Sequence, residues 1–333
     1  MSRSMLKLTF KYVGHGDTIT LEWVDSGSKR IAIIDCKHSS NGNPIIPLLK
    51  KEGFSEIEFI VLSHPHFDHI SGFLDLLIFC EKNHIIIKSF YTTCAEVPEY
   101  LRSATSSHTD KKYLSQLFKY IKELRNIGII KSYYSITDFS QNLFSNNNFQ
   151  VKCLSPSEEE KLEYITSRKD YLIPESGNNP KANWIATVLK IYSKNWFILL
   201  TSDAIRESMK RLGINERKNP VNFNEDMIIA QSPHHGSKEN HYPAFWKHQI
   251  AKNTIPISYS VGPNKYGHPD ISTIRSFTKL GYQNCYTFPL ANLIKKTSDE
   301  IEGYLDLISS KIPSEGKDLK YEIDTNGLII NTF

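Results

Sequence analysis

The chain has 333 residues, 40% of them hydrophobic, and its 40 Lys and Arg against 36 Asp and Glu leave a formal net charge of +4. That is enough apolar sequence for one large domain or two small ones with a well-buried core, and the mild basicity permits an anionic substrate without arguing for one. Five cysteines, odd in number and with no C-x-x-C pair, argue against a disulfide framework, and no run reaches the ~18 apolar residues that a membrane helix needs.

The N-terminal segment alternates like a strand and lacks the apolar centre of a signal peptide, so a cytoplasmic protein with no membrane association is expected. Leu6, Leu8, Phe10 and Tyr12 alternate with polar residues, Ile19, Leu21 and Trp23 do the same, and the apolar runs Ile31–Ile34 and Phe59–Leu62 follow. Ile45–Lys51 reads as a short helix ended by Gly53, and Gly72–Lys82 has helical spacing. Ile85–Phe90 reads as a strand. Lys112–Arg125 predicts an amphipathic helix with Leu114, Leu117, Phe118, Ile121 and Leu124 inside. Polar loops are expected around that helix, at Ser103–Asp110 and Ser140–Asn148, and again over residues 157–181. Strands are expected at Phe149–Leu154, Trp184–Tyr192, Trp196–Leu200, Met227–Ala230 and Ile255–Val261. Helices are expected at Ala204–Leu212, Tyr242–Lys252 and Ile271–Leu280. The last segment reads as a hairpin about Asn326-Gly327. There is no internal repeat and no linker, and the mixture of strands and helices predicts an α/β layered sandwich.

Chemistry concentrates directly after the Phe59–Leu62 strand. His64, His66, Asp68 and His69 form a His-x-His-x-Asp-His cluster, four ligand-capable side chains in six residues, which packing does not explain. Residues two apart in an extended loop point the same way, so His64 and His66 can reach one cation. Asp68 and His69, at the turn into the next helix, can reach a second. Imidazole and carboxylate suit zinc first, with manganese or iron as alternatives. Two downstream strands end in further candidates, Asp203 after Phe197–Leu200 and the pair His234-His235 after Ile228–Ala230. Taken alone, Asp203 reads equally as a helix N-cap and the histidine pair as a solvated loop.

The ordered set of strand-His-x-His-x-Asp-His, strand-Asp and strand-His resembles the metallo-β-lactamase-fold hydrolases. More narrowly the chain resembles the soluble metallo-β-lactamase-like domain of bacterial competence DNA-uptake channel proteins. The residues that carry this are Val13–Asp17, Ile33–Asp35, Leu62–Gly72, Leu199–Asp203, Pro233–Ser237 and Ser260–Pro269. Tyr286-Thr287 and Asn326–Ile330 match its closing strands.

The resemblance implies a single domain over residues 1–333, a four-layer αββα sandwich with helical and loop insertions at about 92–148 and 289–319. It also implies two divalent metal ions: His64 and His66 on the first, Asp68, His69 and His235 on the second, and Asp203 bridging them. His235 is preferred to His234, although sequence alone leaves the pair ambiguous. Three departures from the family pattern stand out. The separate histidine that completes the first site is missing, since only His84 and His108 lie between the cluster and Asp203. The usual Gln of the Gly-x-Gly-Asp loop is His15, and the usual Gly before the bridging Asp is Ser202.

The implied reaction is hydrolysis by a metal-activated water, with catalytic roles for Asp203, which holds both metals, Asp68, which orients the nucleophile, and His268, which touches substrate or protonates a leaving group. Subgroup resemblance favours a phosphodiester, in a nucleic acid or a nucleotide. Alternatives are a thioester, lactone, β-lactam or phosphocholine ester substrate, a metal-binding module without turnover in a larger assembly, and a di-iron redox enzyme with a flavin partner. Asp17 is expected either to orient a site histidine or to sit in a turn, and His15 either to meet substrate or to lie on a surface loop. Lys265 and Tyr266 are candidates for holding an anion.

Overall fold

A computed structural model describes residues 5–94, 108–169, 182–218, 223–249, 254–289 and 315–332. Its strands form two sheets. The first has eight strands in the order β15-β14-β1-β2-β3-β4-β5-β6, and the second has seven in the order β13-β12-β11-β10-β9-β8-β7. In chain order the first sheet uses β1 (Leu6–Phe10), β2 (Ile19–Asp25), β3 (Ser28–Ile34), β4 (Glu56–Leu62), β5 (Ile86–Thr92), β6 (Ile130–Ser135), β14 (Leu319–Ile323) and β15 (Ile329–Thr332). The second uses β7 (Phe144–Ser145), β8 (Gln150–Ser155), β9 (Val188–Tyr192), β10 (Trp196–Leu200), β11 (Asp226–Gln231), β12 (Pro256–Tyr259) and β13 (Gln283–Tyr286).

Central strands read as apolar runs because both of their faces are buried. Ala32 and Ile34 of β3 point into the core between the sheets, with Phe59, Val61, Ile198 and Leu200. Their neighbours Ile31 and Ile33 point the other way, onto helices α1 (Ile46–Glu52), α3 (Phe73–Lys82) and α4 (His108–Asn126). On the second sheet Phe197 and Leu199 likewise face α6 (Arg206–Lys218), α7 (Pro243–His248) and α8 (Ile271–Lys279). Three apolar cores therefore separate four layers, helix, sheet, sheet and helix. This is the αββα sandwich.

The strand polarities place the site. β3, β4, β5 and β6 run parallel, as do β10, β11, β12 and β13. β1 is antiparallel to β2, which is antiparallel to β3, so β1 and β3 end at the same edge. Open α/β sheets offer ligand sites at the carboxyl ends of their strands.

Several expectations need correction. Residues 157–181 do not form a continuous loop, because Glu158–Lys169 is a helix, α5. Three consecutive acids open it at the helix N-terminus, where negative charge is favourable, and Ser157 and Glu160 exchange hydrogen bonds as a capping box. Residues 170–181 lie outside the described residues. The expected strand Trp184–Tyr192 begins only at Val188, since Ala182–Ile185 is a 3-10 turn. The 92–148 segment contributes α4, β6 and β7 to the layers; 95–107 within it, and 290–314 of the second expected insertion, lie outside the described residues. The helix expected at Tyr242–Lys252 spans Pro243–His248, and residues 250–253 lie outside the described residues. Among the described residues no helix is long and apolar enough to cross a membrane.

Ile198 is fully buried between the sheets. Ile198→Ala should lower stability by about 2–5 kcal/mol, the range for such truncations, read as a shifted urea midpoint with an unchanged slope.

Candidate metal centre

Six strand ends converge on one point. The turn after β1 brings His15 and Asp17, β3 ends at Asp35, and β4 runs into His64, His66 and the short helix α2 (Phe67–Ile70), which carries Asp68 and His69. β10 ends at Asp203, β11 runs into the 3-10 turn Pro233–Gly236, and the loop after β12 carries His268.

Asp203 lies at the centre. It is 1% exposed, and neither of its carboxylate oxygens has a hydrogen-bond donor. The N-cap reading of this residue therefore fails. Instead the two oxygens face different histidines. Oδ2 lies 3.5 Å from His64 Nε2 and 3.4 Å from His234 Nε2, and His66 Nδ1 adjoins His64 Nε2 at 3.1 Å. Oδ1 lies 3.3 Å from His69 Nε2 and 3.5 Å from His235 Nε2, and Asp68 Oδ2 lies 3.5 Å from that same His235 nitrogen.

Most of these separations are long for charge-assisted hydrogen bonds. They suit donors that share an ion. Two atoms each about 2.1 Å from one zinc lie about 3.4 Å apart at the tetrahedral angle. His69 Nε2 and both nitrogens of His235 are also buried with no hydrogen-bond partner. Leaving a carboxylate and imidazoles unsatisfied in the interior costs several kcal/mol per ion, which a divalent cation offsets. The donor set thus fits two cations, one on each side of Asp203. The cluster is compact across both sides: ligand atoms of His64, His69 and Asp203 lie within 4.8 Å of one another.

A ring of buried polar groups aims these side chains. The Asp35 carboxylate accepts from the Ser63 N–H at 2.8 Å, from the Ser63 hydroxyl at 2.6 Å and from His69 Nδ1 at 2.7 Å. With Nδ1 committed to Asp35, His69 turns Nε2 toward Asp203. The Ser202 hydroxyl donates to Ser63 Oγ at 2.8 Å, and Ser63 Oγ lies 3.0 Å from His64 Nδ1, which leaves His64 Nε2 facing inward. Gln231 ties three segments together: its Oε1 accepts from the N–H groups of Thr201 and Ser202, and its Nε2 donates to Asp17 at 2.8 Å. Asp17 Oδ2 in turn lies 3.7 Å from His69 Nδ1, so this residue belongs to the support of the site. Asn240 donates Nδ2 to the carbonyls of Asp203 and Ala204, so its Oδ1 is the atom left to meet His234 Nδ1, at 3.0 Å.

The backbone is strained in the same place. Six non-glycine residues among those described adopt left-handed φ, and four of them are Asp35 (φ 55), Ser202 (φ 45), His234 (φ 47) and His235 (φ 55). Such a conformation costs about 1–2 kcal/mol per residue, and it persists only where surrounding contacts enforce it. At the 3-10 turn it lets two adjacent histidines face opposite oxygens of one carboxylate.

Electrostatics separate the two sides. Burial, followed by repulsion from His64, pushes His66 down to about 3, and burial lowers His64 as well. Both are therefore neutral and ready to ligate. Burial alone would lower His69 and His235, but the carboxylates around them, Asp203 foremost, outweigh it and hold both above the ordinary imidazole value. For Asp203, burial acts upward and is outweighed by His234, His69 and His235, which keep the group well below the usual carboxylate range.

The structure thus brings together all six residues expected from sequence as ligands, His64, His66, Asp68, His69, Asp203 and His235. It adds His234 on the Oδ2 side, where a third histidine was missing. His84 is exposed in the turn after α3, and His108 begins α4. His268 sits at the rim, its ring 5.3 Å from that of His234 and 6.0 Å from that of His15, with Nδ1 buried and unpartnered. Asn264 shapes its loop by donating to the Gly262 and His268 carbonyls and accepting from the N–H groups of Tyr266 and His268. Sequence reasoning gave Asp35, Ser63, Gln231 and Asn240 no role. The available signal for Asp35 and Ser63 was two apolar strands each ending in a polar residue, and β3 lies beside β4.

No family model matches the chain, and no curated protein matches it significantly. Several solved structures are similar in backbone. The metallo-β-lactamase fold protein YhfI from Bacillus subtilis is 11% identical over 84% of this chain and 95% of its own, with a TM-score of 0.45. Zinc-bound PqqB from Methylobacterium extorquens is 10% identical over 85% and 98%, with a TM-score of 0.47. A diphosphatase of the PhnP family is 12% identical over 96% and 100%, with a TM-score of 0.40.

Asp35→Asn should leave the fold intact but weaken cation binding about 10–100-fold, the usual loss when a ligand loses its orienting partner, measured by chelator competition. Protons should also be released on cation uptake. His69 and His235 hold theirs more tightly than free imidazole does, and a cation must displace them, so affinity should fall as pH falls. Calorimetry in buffers of different ionisation enthalpy counts the protons released.

Proposed function

We propose that the protein is a metal-dependent hydrolase that uses an activated water, with a phosphodiester of a nucleic acid or nucleotide as its substrate. The observation that carries this reading is the buried Asp203 carboxylate, with one oxygen facing His64 and His234 and the other facing His69 and His235. Two divalent cations bound there, zinc first, would lower the pKa of water toward neutrality and stabilise negative charge as the ester is cleaved. The protein residues then have distinct tasks. Asp203 holds the two histidine sets at a set spacing. Asp68, whose side chain is 30% exposed while His235 is 1% exposed, is the carboxylate at the open side, placed to orient or take a proton from the nucleophile. His268 stands at the rim beside His234, where a leaving group would pass. No serine or cysteine nucleophile is required.

The rim supports an anionic substrate that bears an aromatic group. Tyr266 is 63% exposed and its ring lies 5.6 Å from that of His15, with Lys265 Nζ 5.6 Å from the Tyr266 ring. A base could stack there while the ammonium meets phosphate. The sequence resemblance favours the same class of substrate.

Metal-loaded protein should hydrolyse bis-p-nitrophenyl phosphate, and His66→Ala and Asp203→Ala should each abolish turnover. Unchanged turnover in both variants would overturn the mechanism. A screen that also includes thioester and lactone substrates tests the class, and activity on the lactone alone would reject the phosphodiester reading. Cation binding without turnover of any of these would favour a binding module.

A further inference from the structure

We propose that His15 is itself a metal ligand, reaching the cation on the Oδ1 side of Asp203 together with Asp68 and His235. The proposal rests on the two-cation reading of the centre.

Three observations converge on it. The first is the way the loop is wedged. Asp17 N–H donates to the Asp68 carbonyl at 3.0 Å. A Cβ on Gly16, whose φ is +136°, would stand 2.3 Å from that same carbonyl oxygen. On the other side, a Cβ on Gly262 would stand 2.5 Å from the Gly14 carbonyl carbon. Only glycine permits either approach, and together they press the β1–β2 turn between the Asp68 helix and the loop after β12. His15 is the side chain this turn delivers.

The second is that His15 is 9% exposed, and its Nδ1 is buried with no hydrogen-bond partner. A buried nitrogen left without a partner destabilises the fold, so a residue serving only to fill space would be better replaced by an apolar one. The third is that the ring lies 4.4 Å from that of His235, and ligand atoms of His15, Asp68 and His235 all lie within 4.8 Å of one another. Tyr266 and His268 lie beyond it, at 5.6 and 6.0 Å between ring centroids.

The two cation positions would then differ in kind. On one side stand His64, His66, His234 and Asp203. On the other, His15 joins Asp68, His69, His235 and Asp203, so that side holds its cation more firmly and depends on the β1–β2 turn as well.

The test compares wild type with His15→Ala and His15→Gln, all freed of metal and then titrated with cobalt(II) and zinc. Metal content, chelator competition and the visible cobalt spectrum are the readouts. Wild type should take up two cations. Both variants should bind one of them at least about 10-fold more weakly, since even an outer partner of a ligand is worth that much, and should lose part of the cobalt spectrum. Added imidazole should restore the lost band in His15→Ala, which a space-filling role would not produce. Where His15→Ala fails to fold, His15→Gln, closer in size, carries the comparison. Two cations bound with wild-type affinity and an unchanged cobalt spectrum in the folded variants would overturn the assignment of His15. Failure of wild type to bind any divalent cation would overturn the metal centre and this proposal with it.

Discussion

A single buried carboxylate organises this protein. Asp203 is almost without solvent contact and without a hydrogen-bond donor, yet four histidine nitrogens surround it at 3.3–3.5 Å. In a low-dielectric interior such a group destabilises the fold unless positive charge meets it. The conformation around it follows from that need. Ser202, His234 and His235 accept left-handed backbone, and Gln231 and Asn240 hold the strand ends on either side in register. Strain of this kind persists at functional sites because the neighbouring contacts leave the chain no cheaper arrangement.

That geometry needs a rigid frame, and the four layers supply one. The core between the sheets locks β3 and β4 against β10 and β11, which deliver Asp35, His64, Asp203 and His234. Parallel strands place their carboxyl ends at one edge, so residues more than a hundred positions apart meet there. Ser202, after a strand of one sheet, donates a 2.8 Å hydrogen bond across that edge to Ser63, after a strand of the other. Supporting polar groups therefore join the sheets as well as aim the ligands.

Much of the fold was legible from pattern. The strands and the amphipathic helix α4 announced themselves through apolar runs and 3.6-residue spacing, and the Asn-Gly turn marked the closing hairpin. The misreadings have physical causes. Glu158–Lys169 is highly charged and carries little apolar surface, so its helical state depends on its capping box and on packing of Tyr164 and Ile165 rather than on a visible stripe. Trp184 and Ile185 read as the start of a strand because they are apolar, but they pack onto the helix side of the first sheet from a 3-10 turn. Of the site, the His-x-His-x-Asp-His cluster was plain because four ligand types stand side by side. The missing third histidine was sought between that cluster and Asp203, where family habit places it.

The amino-acid sequence by itself determined the chemistry of the centre, since imidazoles and carboxylates at strand ends can hold divalent cations whatever their exact pose. It could not say which nitrogen meets which oxygen. The left-handed turn at His234 and His235 decided that, because it sends two adjacent side chains to opposite sides of Asp203. The glycine contacts that wedge the β1–β2 turn decided the place of His15. Both depend on segments far apart in the chain, and only packing of the two sheets brings them within reach.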